Sequence, residues 1–231
     1  MTRARGFAVI ICAALAGCGG IWGGGSKAPP NVGELKLELR EYHDSGSYAV
    51  EFAAAIAEAR KQLGRKSPRP GQRFAVVLDI DETALSNWAA LQANDFGFVT
   101  AGPCVLPQGP CGWEAWLARA EAPAMGPTLE LFREAKAAGF GVFFISTRTE
   151  RFRAATERNL MAAGYAGWAG VVLRSDDAPL GPAAAHKGPA RCRIEALGWT
   201  VILNVGDQPS DLAGSCAERS VLVPNPFYRV P

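Results

Sequence analysis

The chain has 231 residues, 48% of them hydrophobic, which is enough for one α/β domain with an inserted or appended piece. Its formal net charge is +2, from 24 basic and 22 acidic residues, and the basic residues form no cluster along the sequence. This balance argues against a nucleic-acid polymer as a partner, because proteins that bind one concentrate Lys and Arg on one surface.

The N-terminus predicts an export signal. Arg3 and Arg5 precede an apolar run over residues 7–15, which is too short for a membrane-spanning helix. Small residues then lead to Cys18, and this stretch resembles the lipobox of bacterial lipoproteins, which implies cleavage before Cys18 and a lipid on it. The alternative is an ordinary signal peptide that carries a cysteine. We expect a signal peptide over residues 1–17, a flexible lipid-anchored tether over residues 18–33 and a folded domain over residues 34–231.

An exported lipoprotein would sit in the cell envelope, in an oxidising compartment. Gly19 rather than Asp follows Cys18, which favours the outer membrane, with the domain facing the periplasm. With Cys12 removed and Cys18 carrying the lipid, four of the six cysteines remain for disulfides, and the sequence does not choose among their three possible pairings. These cysteines are Cys104, Cys111, Cys192 and Cys216.

The first predicted elements are two helices over residues 34–63, broken at Gly46. A short strand, Phe74–Leu78, follows, and its unbroken apolar run is typical of a strand buried on both faces of a parallel sheet. Asp79 and Asp81 come next. Residues two apart in an extended chain point the same way, so the two carboxylates can share one site at the strand's carboxyl end. A simple helix cap would explain one of these acidic residues but not both.

After a predicted helix over residues 84–91, an aromatic-rich insertion occupies residues 89–125 and predicts a small cap. Its aromatic residues form either the core of the cap or a surface for a substrate's ring, and we expect most of them to be core. The set is Trp88, Phe96, Phe98, Trp113 and Trp116.

Four more strands are predicted after a helix over residues 128–138. The second strand, at residues 141–145, leads into Ser146, Thr147 and Arg148, whose hydroxyls and guanidinium suit an anion. The third is followed by Lys187, which we expect where a helix opens at residues 186–189, with Pro189 in its first turn.

The fourth strand ends in Asp207 and Asp211, and a short fifth strand follows at residues 220–223. The strand ends therefore carry two carboxylate pairs, a hydroxyl and a lysine. Mg²⁺ prefers hard oxygen ligands, and a phosphoryl group needs donors around its oxygens. The pattern favours phosphoryl transfer.

These motifs resemble those of the haloacid dehalogenase (HAD) superfamily, and within it the acid phosphatases that include bacterial lipoproteins and plant vegetative storage proteins. The matching stretches are residues 79–83, 144–148 and 206–212, Lys187 with Arg191, and residues 224–228. The resemblance implies a Rossmann-like α/β core with a parallel sheet of about five strands flanked by helices, a small helical cap and an N-terminal helical extension.

The resemblance also implies residue roles and an activity, the Mg²⁺-dependent hydrolysis of small phosphomonoesters, plausibly nucleotides. Asp79 would be the nucleophile and Asp81 the acid and base. Ser146, with Thr147 and Arg148, and Lys187 would hold the phosphate. The metal ligands would be Asp79, Asp81 through its carbonyl, Asp207 and, directly or through a partner, Asp211. A non-catalytic binding or storage lipoprotein on the same fold is the alternative.

Overall fold

The computed structural model describes residues 29–68, 70–179 and 181–230. Its helices and strands lie in one compact unit, Val32–Pro231. The predicted signal peptide, most of the predicted tether and Cys18 fall outside the described residues. Among the helices that are described, none is both long enough and apolar enough to cross a lipid bilayer.

The described residues form one sheet of parallel strands, which confirms the predicted sheet. Its strands are β1 Phe74–Leu78, β2 Gly141–Thr149, β3 Gly170–Arg174, β4 Thr200–Gly206 and β5 Ser220–Leu222. They lie side by side in the order β3-β2-β1-β4-β5. Because all are parallel, their carboxyl ends meet at one edge of the sheet, where α/β folds place their ligands.

Helices cover both faces of the sheet, as predicted. Their bounds are α1 Val32–Asp44, α2 Ser47–Leu63, α3 Trp88–Ala93, α4 Trp113–Arg119, α5 Gly126–Ala137, α6 Arg153–Ala162, α7 Ala183–Ala196 and α8 Pro209–Leu212. The break between α1 and α2 falls at Gly46, whose φ of 84° is the left-handed conformation that glycine adopts without strain.

Successive side chains of β1 point to opposite faces of the sheet, and both faces are buried, which explains its unbroken apolar run. Val76 and Leu78 pack in the larger core cluster, which contains the buried residues of α2 and α5. Ala75 and Val77 point the other way and pack with Ala190 and Ile194 of α7. Burying both faces of a strand in this way removes all of its side chains from water, which is the main driving force for this packing.

The helix expected over residues 84–91 is wrong in its first half. The amides of Ala84 and Leu85 both donate to the carbonyl of Ile80, at 2.9 and 2.8 Å, so the chain turns back on itself there. The helix α3 begins only at Trp88. This turn could not be predicted from the sequence, because it depends on the backbone carbonyl of Ile80, and every residue type has such a carbonyl.

The predicted start of the helix that carries Lys187 is also wrong. This helix begins at Ala183, so Lys187 lies in its second turn and Pro189 lies inside it rather than at its start. A proline there removes one backbone hydrogen bond. Pro182, immediately before the helix, ends the preceding loop in an extended conformation, and this earlier proline marks the true start.

The cysteines that the sequence left unpaired form two disulfides, Cys104–Cys111 and Cys192–Cys216. The first closes the loop of the insertion between α3 and α4. The second ties α7 to the chain just after α8, so it joins two elements that both carry candidate site residues.

Candidate active site

Three buried aspartates meet at the carboxyl edge of the sheet. Asp79 follows β1, Asp207 follows β4 and Asp211 lies in α8. One carboxylate oxygen from each lies within 4.8 Å of the other two. The Nζ atom of Lys187 donates hydrogen bonds to both Asp79 and Asp211. These four residues were all predicted to lie at this edge, and the structure brings them together.

The register of β1 brings Lys187 to Asp79. Asp79 continues the alternation of Ala75 and Val77, which face α7, and Lys187 is on that helix. Burial lowers the pKa of Lys187, but the charges of Asp79 and Asp211 outweigh that effect and raise its pKa above the ordinary value. Lys187 is therefore an ammonium throughout the physiological pH range.

Burial acts on the carboxylates in the opposite direction. It is the largest cause of the raised pKa of Asp79, with Lys187 opposing it, and it also raises the pKa of Asp207. When ionised, three buried carboxylates facing one ammonium carry an excess of negative charge. A site of this kind favours a further cation.

Asp207 and Asp211 are held by a network of side-chain and backbone donors. Asp207 Oδ2 accepts hydrogen bonds from Gln208 Nε2 at 2.6 Å and from Asn225 Nδ2 at 2.7 Å. Asp211 Oδ2 accepts one from the backbone amide of Gln208 at 2.9 Å. Arg191, fully buried on α7, donates to the carbonyls of Asp211 and Ala213, so it fixes the turn that follows β4.

Asp81 is held separately, beside the three aspartates. Arg148 Nη2 donates to its Oδ1 at 2.6 Å, and Asn87 Nδ2 donates to the same oxygen at 2.9 Å. Burial raises the pKa of Asp81, but the charge and hydrogen bonds of Arg148 outweigh it, so the pKa lies below the ordinary value. Arg148 thus binds a carboxylate of the protein, whereas the sequence predicted that it would bind phosphate.

A second network behind Asp81 was not predicted from the sequence. Glu82, at a φ of 52°, accepts hydrogen bonds from the backbone amide of Asn87 at 2.5 Å and from Tyr228 Oη at 2.6 Å. Trp116 Nε1 donates to Asn87 Oδ1 at 2.7 Å. Burial and the charge of Asp81 raise the pKa of Glu82 to about 8. These residues fix the side chain of Asn87, which in turn fixes Asp81.

Two adjoining cavities open onto these groups. A small one of about 30 Å³ lies among the aspartates, Lys187 and Thr147. A larger one of about 780 Å³ shares Asp81, Thr147 and Tyr228 with it and extends between the insertion and the edge of the sheet. Phe98 and Trp113 from the insertion line the larger cavity, whereas Trp116 is buried in the core.

Ser146 and Thr147, whose hydroxyls were predicted to bind phosphate, lie in different surroundings. Thr147 lines both cavities. Ser146 is buried, and its Oγ accepts a hydrogen bond from the backbone amide of Arg148 at 3.1 Å. Thr147 is therefore the hydroxyl residue nearer to the three aspartates' cavity, and the role of each residue stays a prediction.

Comparison with known proteins agrees with this arrangement. A family model described as the HAD superfamily, subfamily IIIB (acid phosphatase), matches residues 29–231. The chain belongs to this acid phosphatase family. Membership makes it a phosphoric monoester hydrolase, and it confirms the family that the sequence motifs indicated.

Plant proteins are similar to this acid phosphatase. Acid phosphatase 1 of Solanum lycopersicum is 31% identical over 193 residues, which cover 83% of this chain and 73% of that protein. The stem 28 kDa glycoprotein of Glycine max is 31% identical over 157 residues, or 67% of this chain and 59% of that one. Vegetative storage protein 1 of Arabidopsis thaliana is 28% identical over 156 residues, covering 67% and 55%.

A solved structure shares the fold. The class C acid phosphatase from Bacillus anthracis superposes with a TM-score of 0.67 over 86% of each chain, at 20% sequence identity. This likeness confirms the predicted α/β architecture.

Proposed function

We propose that this acid phosphatase is a Mg²⁺-dependent enzyme that hydrolyses small phosphomonoesters through an aspartyl-phosphate at Asp79. The observation that carries the proposal is that Asp79 and Asp81 line one cavity together with Lys187. Lys187 donates to Oδ1 of Asp79. The other carboxylate oxygen accepts no hydrogen bond from the residues that the structure describes, so it is available to a substrate.

The reaction has two balanced steps. In the first, an oxygen of Asp79 bonds to phosphorus, the bond to the leaving oxygen breaks, and Asp81 gives that oxygen a proton. In the second, water bonds to phosphorus and gives a proton to Asp81, and the bond to Asp79 breaks, which releases phosphate. Arg148 lowers the pKa of Asp81, so the protonated form that acts as donor is populated only at a lower pH than in a free aspartic acid, which favours activity at acidic pH.

The donor set fits Mg²⁺. Asp79 and Asp207 would supply hard oxygen ligands, and Asp81, whose backbone carbonyl would be a further ligand, lines the same cavity. We assign Asp211 a supporting role, since its two oxygens already accept from Lys187 and from the amide of Gln208. A bound Mg²⁺ would supply positive charge that neutralises the phosphoryl oxygens.

We further propose that Thr147 and Lys187 contact the phosphoryl oxygens and that Ser146 supports this segment from behind. The placement of the two hydroxyl residues supports this division. The leaving group would occupy the larger cavity, against Phe98 and Trp113. An aromatic wall of this kind suits leaving groups that contain a ring, nucleotides among them.

The location proposed is the outer membrane, facing the periplasm, with a lipid on Cys18. It is supported by the charged and apolar pattern of the first residues and by four cysteines that pair in two disulfides, which persist in oxidising compartments. The disulfides support an oxidising compartment, but they give no information about a lipid anchor.

The test is phosphate release from p-nitrophenyl phosphate at acidic pH by the purified full-length chain, with Mg²⁺ and with EDTA. We expect activity that requires the metal and is lost in Asp79→Asn. Asp177→Asn, an exposed aspartate outside both cavities, is the matched control and should retain activity. No release by the folded, Mg²⁺-binding protein would favour the binding or storage alternative.

A further inference from the structure

Of the arginines that line the larger cavity, some are paired with a carboxylate and others are not. The four that line it are Arg148, Arg151, Arg174 and Arg229. The first two form ion pairs with carboxylates of the same cavity wall. Arg174 and Arg229 form no ion pair with any described residue. The cavity wall therefore holds two arginines without a carboxylate partner, although the net charge of the whole chain is only +2.

Arg174 has a donor that lacks an acceptor. Its Nε atom is closed off from solvent and has no hydrogen-bond partner among residues 29–68, 70–179 and 181–230. Buried donors in folded proteins almost always have an acceptor, and a guanidinium presents its five N–H groups in a fork that matches carboxylates and phosphates. The two Nη groups of Arg174 also donate to no described residue, and unlike Nε they are not closed off, so an anion in the cavity would bind them.

The position of Arg174 in the sheet sets the distance to the reacting phosphate. Arg174 ends β3, and β2 separates that strand from β1, which leads to Asp79. Neighbouring strands lie about 4.8 Å apart, so the two strand ends are on the order of 10 Å apart. A leaving group that starts at Asp79 and crosses the end of β2 would bring its far end to Arg174.

We propose that Arg174 binds a second anionic group on the leaving group, a carboxylate or a further phosphate. The preferred substrates are then phosphomonoesters that carry a negative charge about two strand spacings from the scissile phosphate. This inference rests on the proposed function, because it takes Asp79 as the site of the scissile phosphate. The remaining acidic residue on the wall, Glu82, hydrogen-bonds to Tyr228 and forms no ion pair with Arg174.

The test compares substrates that differ only in this charge. 4-(Carboxymethyl)phenyl phosphate carries the second anion, and 4-(carbamoylmethyl)phenyl phosphate is its neutral counterpart of the same shape. In both, a methylene separates the polar group from the ring, which keeps the two leaving phenols similar. 4-(Phosphonomethyl)phenyl phosphate serves as a third substrate and distinguishes a phosphate-like anion from a carboxylate.

The full-length wild-type chain should cleave the anionic substrates with a kcat/KM roughly tenfold or more above that for the amide, since hydrogen bonds to charged groups have this strength. In Arg174→Gln the preference for the anionic substrates over the amide should fall to about onefold. Arg219→Gln is the matched control. It removes the same charge just before β5, at the opposite edge of the sheet, and should keep the preference.

The outcomes separate the two proposals. A wild-type chain that cleaves all three substrates equally, or a preference that survives in Arg174→Gln, overturns the second-anion site and leaves the phosphatase intact. A preference for one anion alone narrows the substrate class to that anion. Calorimetric binding of the same compounds to Asp79→Asn needs no turnover, so it decides the inference even if the proposed reaction fails.

Discussion

Tyr228 Oη donates a hydrogen bond of 2.6 Å to Glu82 Oε2, although 146 positions separate the two residues in the sequence. This bond ties the C-terminal segment to the turn that follows β1. Glu82 also accepts a hydrogen bond from the side chain of Asn87, and that side chain donates to Asp81. The last residues of the chain therefore help to set the position of the proposed acid and base.

Tyr228→Phe removes the hydroxyl donor and keeps the ring. We expect kcat for p-nitrophenyl phosphate to fall by roughly tenfold, since a buried acceptor beside Asn87 loses its donor, while KM changes little. Tyr42→Phe is the control, because Tyr42 donates a comparable 2.7 Å hydrogen bond to Glu51 on the exposed surface. Equal kcat values for the two variants would mean that Asp81 does not depend on Tyr228.

Glu82 should make stability depend on pH. Its pKa rises from 4.5 to about 8 in the folded state, mainly because it is buried. A raised folded value means that this contribution to stability is complete below about pH 4.5 and is lost as the pH rises through about 8. The glutamine in Glu82→Gln cannot ionise. The melting temperature of this variant minus that of the wild type should therefore increase as the pH rises from about 4.5 to about 8.

Thermal melts at several pH values measure this difference. The exposed Glu38→Gln is the charge-matched control and should show a constant offset from the wild type. A constant offset for Glu82→Gln as well would contradict the assignment.

The strand ends were predictable because a parallel sheet forces them together. A continuous apolar strand followed by a carboxylate is a local signal, and the sheet rule converts it into a position in space. Asp79, Asp207 and Lys187 could therefore be placed from the sequence, and the structure brings them together.

The network behind Asp81 could not be predicted in this way. The contact of Glu82 with Tyr228 depends on the turn at Ile80 and on the path of the C-terminal segment, and neither has a periodic signal. The pairing of Arg148 with Asp81 was missed for a related reason. An arginine at a strand end suits either a substrate anion or a protein carboxylate, and only distances distinguish the two.

Asp207→Asn should remove metal binding while the fold persists. The amide keeps the size of the side chain but loses the charge that attracts Mg²⁺, and it relieves repulsion among three buried carboxylates. We expect activity to fall by roughly 10²-fold or more and the Mg²⁺-induced rise in melting temperature to disappear. Asp177→Asn should keep both. A variant that still melts higher with Mg²⁺ would remove Asp207 from the metal site.

The two disulfides should differ in their contribution to stability. Cys192–Cys216 closes a loop with a sequence separation of 24, and Cys104–Cys111 closes one of 7. Loop entropy predicts losses of roughly 3.5 and roughly 2.4 kcal/mol when each pair is replaced by serine. Denaturant unfolding of the two double variants tests the order.

The Cys192 and Cys216 variant should also lose activity, because α7 and the chain after α8 position Lys187 and Asp211.

Cys18 should decide whether the protein is retained in membranes. If a lipid on Cys18 is the anchor, Cys18→Ser will move the full-length protein from the membrane fraction to the soluble periplasmic fraction of a bacterial host, with its phosphatase activity unchanged. Cys12→Ser is the matched control: it changes the other cysteine near the N-terminus, which the predicted cleavage removes, and should stay with the membranes. A Cys18→Ser protein that remains in the membrane fraction would show that a lipid on this residue is not the sole anchor.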